Sequence, residues 1–237
     1  MHWLERFLLP PSCQLCRAPA IDDELCPACA SEADVVVSAC PLCALPNNDG
    51  SICSHCAQTP PIWQAAYSCL VYDGNVQKLI VKWKYQKQVS SARLLCETLS
   101  GWLTLQSILP DATAIIPIPM HYKKLRTRGF NTAYILARAV SNALSLPILD
   151  KALIRSIHTP AQAGLTKSER QNNLAGAFLV VPEALQGHER IILIDDVYTT
   201  GTTLHICSCL LKEAGIKQIT VLTLARTLPP DASSALQ

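Results

Sequence analysis

No apolar run in this 237-residue chain is long enough to cross a bilayer as a helix. The uncharged stretch Thr98 to Pro110 is broken by Ser100, Gly101, Thr104, Gln106 and Ser107. A spanning helix needs roughly 20 consecutive apolar residues, so no membrane segment is expected. The amino-terminal MHWLERFLLPPSC places an acid early, has only a short apolar run and offers no small-residue cleavage site before the first Cys. A secretory signal is therefore not expected, and the chain is expected to stay in the cytoplasm. Charge is also scarce, at 16% of residues against 49% hydrophobic. That balance excludes a disordered chain and is enough to bury one full domain plus a smaller one. No Ser-His-Asp or Cys-His nucleophile set stands out.

Cysteine, by contrast, is abundant. Eight of the twelve fall in four C-x-x-C knuckles: Cys13 and Cys16, Cys26 and Cys29, Cys40 and Cys43, Cys53 and Cys56. The second four repeat the spacing of the first four, so the ligand pattern is duplicated. Four thiolates favour tetrahedral zinc with no open catalytic position, and two structural zinc ions are expected. Between the knuckles lie few large apolar residues, Leu15, Leu25, Leu42, Leu45 and Ile52 among them. Metal binding supplies the folding energy such a segment lacks. Sequential pairing, one ion per repeat, best fits the duplication, although a cross-braced arrangement has the same spacing. His55, inside C-S-H-C, reads as a bystander. Cys69, Cys96, Cys207 and Cys209 have no ligand spacing and read as buried structural thiols.

Charge is unevenly spread. Residues 1–60 carry Arg6 and Arg17 against Glu5, Asp22, Asp23, Glu24, Glu32, Asp34 and Asp49, a net −5, which leaves +7 on the rest of a chain whose total is +2. Each zinc with four thiolates adds two more negative charges to the first part. Nucleic acid is repelled there, and the zinc module reads as a scaffold or protein-contact element. In the remainder, Lys78, Lys82, Lys84 and Lys87 interleave with Trp83 and Tyr85. A helix with Val76, Leu79, Ile80 and Trp83 turned inward makes this cluster an ordinary exposed face. The same composition also suits a groove for single-stranded nucleic acid.

Residues 191 to 203, IILIDDVYTTGTT, say most about chemistry. The order of residue types predicts a buried parallel strand (Ile191 to Ile194), acids at its carboxyl end (Asp195, Asp196), a tight loop, and a helix from about Thr203. Ligands bind α/β sheets at such strand ends. Gly201 lets the backbone approach a ligand, Thr199, Thr200, Thr202 and Thr203 add hydroxyls, and the helix N-terminus faces an anion. A phosphate fits there, while Asp195 and Asp196 suit sugar hydroxyls or Mg²⁺. The implied ligand is a ribose 5-phosphate. A Walker loop needs a Lys after its second Gly and a dinucleotide fingerprint needs G-x-G-x-x-G; this stretch has neither.

The rest predicts a hinge at Pro60 and Pro61, a domain boundary near residue 62 and a strand or edge segment over Trp63 to Tyr72. Helices are expected over Ser91 to Leu109 and Thr132 to Leu144, and strands at Ala114 to Ile118, Pro147 to Leu149, Ala177 to Val181 and Gln218 to Ala225. Gly215 is expected to stop the helix after the motif. Such alternation implies a parallel sheet flanked by helices. Pro117 to Asn131 reads as a basic loop with Lys123, Lys124, Arg126 and Arg128, suited to a pyrophosphate. Residues 155–178 read as a candidate lid, with Arg155, Gln162, Lys167, Arg170 and Asn173 placed to close over an anionic substrate and exclude water.

The 191–203 stretch resembles the phosphoribosyl-pyrophosphate (PRPP) motif of type I phosphoribosyltransferases. By that resemblance Asp195, Asp196 and Val197 to Thr203, through Tyr198, Thr199, Thr200, Gly201 and Thr202, form the PRPP site, and Met120 and His121 belong to the pyrophosphate loop. Taken together, the knuckles, R-G-F-N at Arg128 to Asn131, Gln162 to Arg170, N-N-L-A-G-A-F and D-D-V-Y-T-T-G-T-T make the chain resemble the ComF family over residues 10 to 226. The resemblance implies a type I phosphoribosyltransferase fold and a role in DNA uptake or in using DNA as a nutrient. The doubled knuckle set departs from members with one four-cysteine finger. An enzyme displacing pyrophosphate from PRPP with Mg²⁺ is one expectation. A non-catalytic adaptor binding single-stranded DNA or a DNA-uptake protein is the other.

Overall fold

The computed structural model describes residues 11–20, 25–105, 111–156 and 176–229. The duplication read from the cysteines is present in the backbone. A bridge joins Ser12 to Pro19 in the first repeat and Ala39 to Pro46 in the second. Arg17 (φ 67°) and Ala44 (φ 54°) occupy the same left-handed turn position in the two knuckles. Short helices α1 (Pro27–Ser31) and α2 (Ser54–Gln58) follow, each started by a ligand cysteine, Cys26 and Cys53.

After them come β1 (Ala65–Val71), α3 (Gly74–Gln86), α4 (Val89–Leu105), β2 (Ala114–Pro117), α5 (Tyr122–Arg128), α6 (Thr132–Leu144), β3 (Leu153–Arg155), β4 (Phe178–Val180), β5 (Arg190–Tyr198), α7 (Thr202–Glu213) and β6 (Gln218–Arg226). Four strands make a parallel sheet in the order β1-β6-β5-β2. Helices cover both faces, as a wholly buried parallel sheet requires. The sheet's alternate residues divide the interior. Ile191, Leu193, Ile219 and Val221 pack with Leu204 and Leu211 of α7. Ile192, Ile194, Leu222 and Leu224 pack with Leu79, Ile80 and Trp83 of α3, Leu95 and Leu99 of α4, and Leu136 and Val140 of α6.

Three expectations need correction. Pro147 to Leu149 forms no ladder: Ile148 makes a single parallel bridge to Ile115 on the outside of β2. The strand at Ala177 to Val181 shortens to β4, and it pairs antiparallel with β3 in a separate two-stranded sheet. The basic connection after β2 contains α5, which His121 caps by accepting from the Lys123 amide at 3.2 Å and which ends at Gly129 (φ 91°). Its four cations have no acidic partner on the same helix, which argues against a helix from local sequence alone. Cap and stop residues, together with the packing of the following Phe130 on Trp83, fix it instead.

The two ribbons dock on opposite faces of the sheet. Leu15, Leu25 and Ala33 pack against the α3–α4 side. There the buried Asn75 donates to the Cys29 carbonyl (3.1 Å) and to Glu32 (2.7 Å), and Lys82 donates to the Gln14 carbonyl. Cys40, Cys43, Ala44 and Cys56 are part of the core on the α7 side. Between the ribbons, residues 34–36 run antiparallel along the free side of β1, with Val36 N bonded to Cys69 O and Val71 N to Asp34 O, both at 2.9 Å. Trp102 Nε1 ties Val36 O from α4 at 3.2 Å.

Candidate functional site

Each ribbon gathers its four cysteines, Cys13, Cys16, Cys26 and Cys29 in one cluster and Cys40, Cys43, Cys53 and Cys56 in the other, with ligand atoms within 4.8 Å of one another. Pairing is thus sequential and not cross-braced. A zinc–sulfur bond of about 2.3 Å in a tetrahedron places sulfurs about 3.8 Å apart. The observed separations of Cys16 from Cys26 (3.6 Å) and of Cys43 from Cys53 (3.7 Å) suit that ion. Amides also point at the sulfurs, Leu15 N to Cys13 and Cys53 N to Cys40, both at 3.4 Å, as suits thiolates. His55 belongs to neither cluster. Of the remaining thiols, Cys69 and Cys207 are buried as expected, whereas Cys96 and Cys209 are only partly covered.

The second site lies at the carboxyl ends of β5 and β2. Strand β5 extends past the apolar run to Tyr198, so Asp195 and Asp196 sit within its last turn of pleat and their side chains address different neighbours. Asp196 is held by Lys84 of α3 (2.7 Å) and by the Thr132 hydroxyl at the start of α6. The R-G-F-N segment builds this arrangement. Arg128 lies over the Tyr85 ring at 5.4 Å, and Phe130 stacks on Trp83 at 6.1 Å. Asn131 caps α6 by accepting from Ala133 N (3.1 Å) while its amide donates to Ile118 O (3.0 Å). Thr132 is thereby delivered to Asp196.

Asp195 keeps company with Arg155 and Cys207 on the α7 face. Burial, reinforced by the adjacent Asp196 charge, pushes its carboxyl up to about 7, against the Asp196 amide it accepts at 2.8 Å and the fields of Lys84 and Arg155. Asp195 is therefore poised to gain from a cation or a sugar hydroxyl donor.

Beyond β5, Thr199, Thr200 and Gly201 form a short loop into α7. Their amides donate to no protein acceptor among the described residues. The Thr200 and Thr202 hydroxyls meet at 2.9 Å. Gly201 has φ 75°, and a Cβ there would lie 2.7 Å from Tyr198 Cε2, so no other residue fits. Tyr198 is buried below the loop, edge-on to Trp63 (6.1 Å) and under the Arg226 guanidinium (4.1 Å). The free N–H groups of this loop and of the α7 N-terminus make an anion cradle.

Across from it, Met120 lines a cavity of about 500 Å³ with Pro119, Phe130, Tyr134 and Asp150. The buried His121 holds the entry to α5. Lys124 lies below the usual lysine range because of burial and the charges of Arg155 and Arg128. Arg155, read as a lid residue, sits at the end of β3 with its guanidinium over the Phe178 ring (5.2 Å). Lys167 and Arg170, with Gln162 and Asn173, lie outside the described residues.

Sequence reasoning missed Lys84 and Arg226. Lys84 belongs to the cluster whose spacing predicts an exposed helical face, yet it is mostly covered and paired with Asp196. Its register one turn beyond Ile80, on the edge of the buried stripe, is the available signal. Arg226 donates to the carbonyls of Cys43 (3.0 Å), Tyr198 (2.9 Å) and Thr199 (2.7 Å). Nothing in its local sequence distinguishes it.

A double zinc ribbon domain model matches residues 4–57. DNA utilization protein YhgH of Escherichia coli K12 is 32% identical over 223 residues, covering 91% of this chain and 90% of that one. Competence protein F of Haemophilus influenzae is 38% identical over 154 residues, 62% of this chain and 66% of its own length. Competence protein ComFC of Bacillus subtilis is 26% identical over 162 residues, 68% of this chain and 63% of that protein. A solved glutamine PRPP amidotransferase from B. subtilis, complexed with ADP and GMP, matches 54% of this chain and 26% of its own, with 18% identity and a TM-score of 0.38. That score is too low to add to the geometry. The matched length and identity, the double ribbon and the parallel sheet flanked by helices together place the chain in the family of the competence proteins F and ComFC and the DNA utilization protein YhgH.

Proposed function

We propose that the protein binds PRPP or a closely related ribose phosphate at the ends of β5 and β2, within a role in DNA uptake or the use of DNA as a nutrient. The zinc-ribbon module comprises residues 1–61, the phosphoribosyltransferase-like domain residues 62–237, and the protein works in the cytoplasm. The observation that carries the reading is the Thr199–Gly201 loop, whose unused amides, obligatory glycine and helix N-terminus adjoin an acid pair. The 5-phosphate rests on Thr199 to Thr203. Asp195 accepts from ribose hydroxyls, and Asp196 does so in exchange for its contact with Lys84. The pyrophosphate lies toward Met120 and His121, where Lys124, Arg128 and Arg155 already crowd one another's charge.

The Asp195 carboxylate together with substrate phosphates is a donor set of the kind that holds Mg²⁺. Bound there, the ion would neutralise charge on the pyrophosphate. If the protein is a transferase, a nitrogen nucleophile takes C1 of the ribose and pyrophosphate leaves with the bonding pair. The chain's residues contribute position and charge stabilisation, with no protein nucleophile. Titration calorimetry of the zinc-loaded protein with PRPP, with and without Mg²⁺, tests the site. Saturable binding lost in Asp195→Asn supports it, and no heat with either form of PRPP overturns it.

A second reading, a non-catalytic adaptor for single-stranded DNA or a DNA-uptake partner, is favoured by the exposed Tyr85 and Tyr122 beside Arg128, Lys87 and Lys123. Stacking rings interleaved with cations suit a single strand. Affinity for an oligothymidylate that does not fall with added salt would contradict it.

A further inference from the structure

We infer that the second ribbon is a working arm of the phosphate loop, and that Arg226 is the positioning residue joining them; this rests on the ribose-phosphate reading above. Arg226 stands at the end of β6, between the two parts. Its Nε donates to the carbonyl of Cys43, a ligand residue, while one terminal nitrogen donates to the carbonyls of Tyr198 and Thr199. In a planar trans peptide the C=O and the following N–H point in opposite directions. Holding the Tyr198 and Thr199 carbonyls toward Arg226 therefore aims the amides of Thr199 and Thr200 away from it, into the space where the anion binds.

A second tie runs parallel to the first. Trp63 Nε1 donates to the carbonyl of Leu42 at 2.7 Å, and its ring abuts Tyr198, the residue on which Gly201 rests. Leu42 and Cys43 lie in one knuckle, between and at the ligands Cys40 and Cys43. Core packing and the Ala66 amide, which donates to the Pro41 carbonyl at 2.8 Å, seat this knuckle on β1, and an ion shared by both sulfurs closes its turn and so aims the two carbonyls. The equivalent stretch of the first ribbon faces elsewhere: the Gln14 carbonyl accepts from Lys82 on the opposite face of the sheet. Metal occupancy of the second ribbon thus sets how well the loop is ordered for phosphate, and occupancy of the first does not.

The test uses the full-length, zinc-loaded protein and two readouts: backbone ¹⁵N order parameters of Thr199, Thr200 and Gly201, and calorimetry with ribose 5-phosphate. In Arg226→Met the order parameters are expected to fall from about 0.85 to below about 0.6, with affinity about tenfold weaker or worse and both zinc ions retained by native mass spectrometry. Trp63→Phe, which keeps the ring but not the donor, is expected to shift both in the same direction by less, and it carries the test if Arg226→Met does not fold. Asn75→Ala, which loosens the first ribbon, should leave the loop unchanged. An ordered loop in both Arg226→Met and Trp63→Phe overturns the inference. If the wild-type protein gives no heat with ribose 5-phosphate, the ribose-phosphate reading fails, while the order parameters still decide whether the brace exists.

Discussion

The two ribbons have the same ligand spacing, the same knuckle turn and the same helix start, yet one is packed into a core and the other lies on a surface. Cys40, Cys43, Ala44 and Cys56 are buried among side chains of β5, β6 and α7 with Cys53 half-covered, whereas the first ribbon buries Cys13 and Cys26 but leaves Cys16 exposed and Cys29 half-covered. The first ribbon is held by hydrogen bonds from Asn75 and Lys82 and by the partly buried Leu15, Leu25 and Ala33, the second by Trp63, Arg226 and fully buried apolar packing. Local sequence fixes the shape of a metal module. What the module does depends on which face of the sheet receives it.

The largest effect expected from this difference is on the ligands themselves. Cys56→Ser should abolish the second zinc and leave an uncollapsed gap in the core, giving insoluble or unfolded protein at 37 °C. Cys16→Ser should lose one zinc and still unfold cooperatively, as native mass spectrometry and thermal unfolding can check. Comparable behaviour of the two variants would erase the distinction. Next, Trp63→Ala removes a buried aromatic from the second ribbon's seat and should cost about 3–5 kcal/mol in urea unfolding.

Asp195, on the second ribbon's face, sharpens the comparison through pH. Folding raises its pKa to about 7 from an ordinary 3.8. The folded state therefore holds the proton more tightly, and the contribution to stability is full below about pH 4 and is lost as pH rises through about 7. Relative to the wild type, Asp195→Asn should gain stability between about pH 4 and 7, by no more than about 1.4 kcal/mol per pH unit, and level off above. A flat difference across that range removes the buried-acid account.

On the first ribbon's side the expected effects are smaller. Asn75→Ala deletes its donor to the Cys29 carbonyl and should cost about 1–2 kcal/mol. Smallest of all, Arg17→Gly relieves a left-handed backbone at an exposed position and should stabilise by up to about 1 kcal/mol, while Ala44→Gly should not, because Ala44 is fully buried and its methyl group is in contact.

Much of this was legible from the chain because it is local. Ligand spacing gave the two ribbons, but a cross-braced set has the same spacing, and the sequential pairing came only from the positions of the sulfurs in space. The apolar run before Asp195 gave β5, and a glycine between threonines gave the turn into α7. The contacts that assemble the site were not legible. Lys84 and Asp196 are 112 positions apart, and Arg226 and Cys43 are 183 apart, and no periodicity relates such residues. For the same reason α5 read as a loop: its stability comes from a cap, a stop and the packing of Phe130 against α3, none of which lies in its own composition.

The strip at residues 34–36 has a consequence for synthesis. It occupies the side of β1 that would otherwise offer a row of unpaired amides and carbonyls, an invitation to strand-by-strand aggregation. That strip is strung between the two ribbons, so a nascent chain starved of zinc would complete its sheet with a bare edge. Chelator in the growth medium should therefore send the protein into inclusion bodies, even though the sheet itself contains no metal ligand.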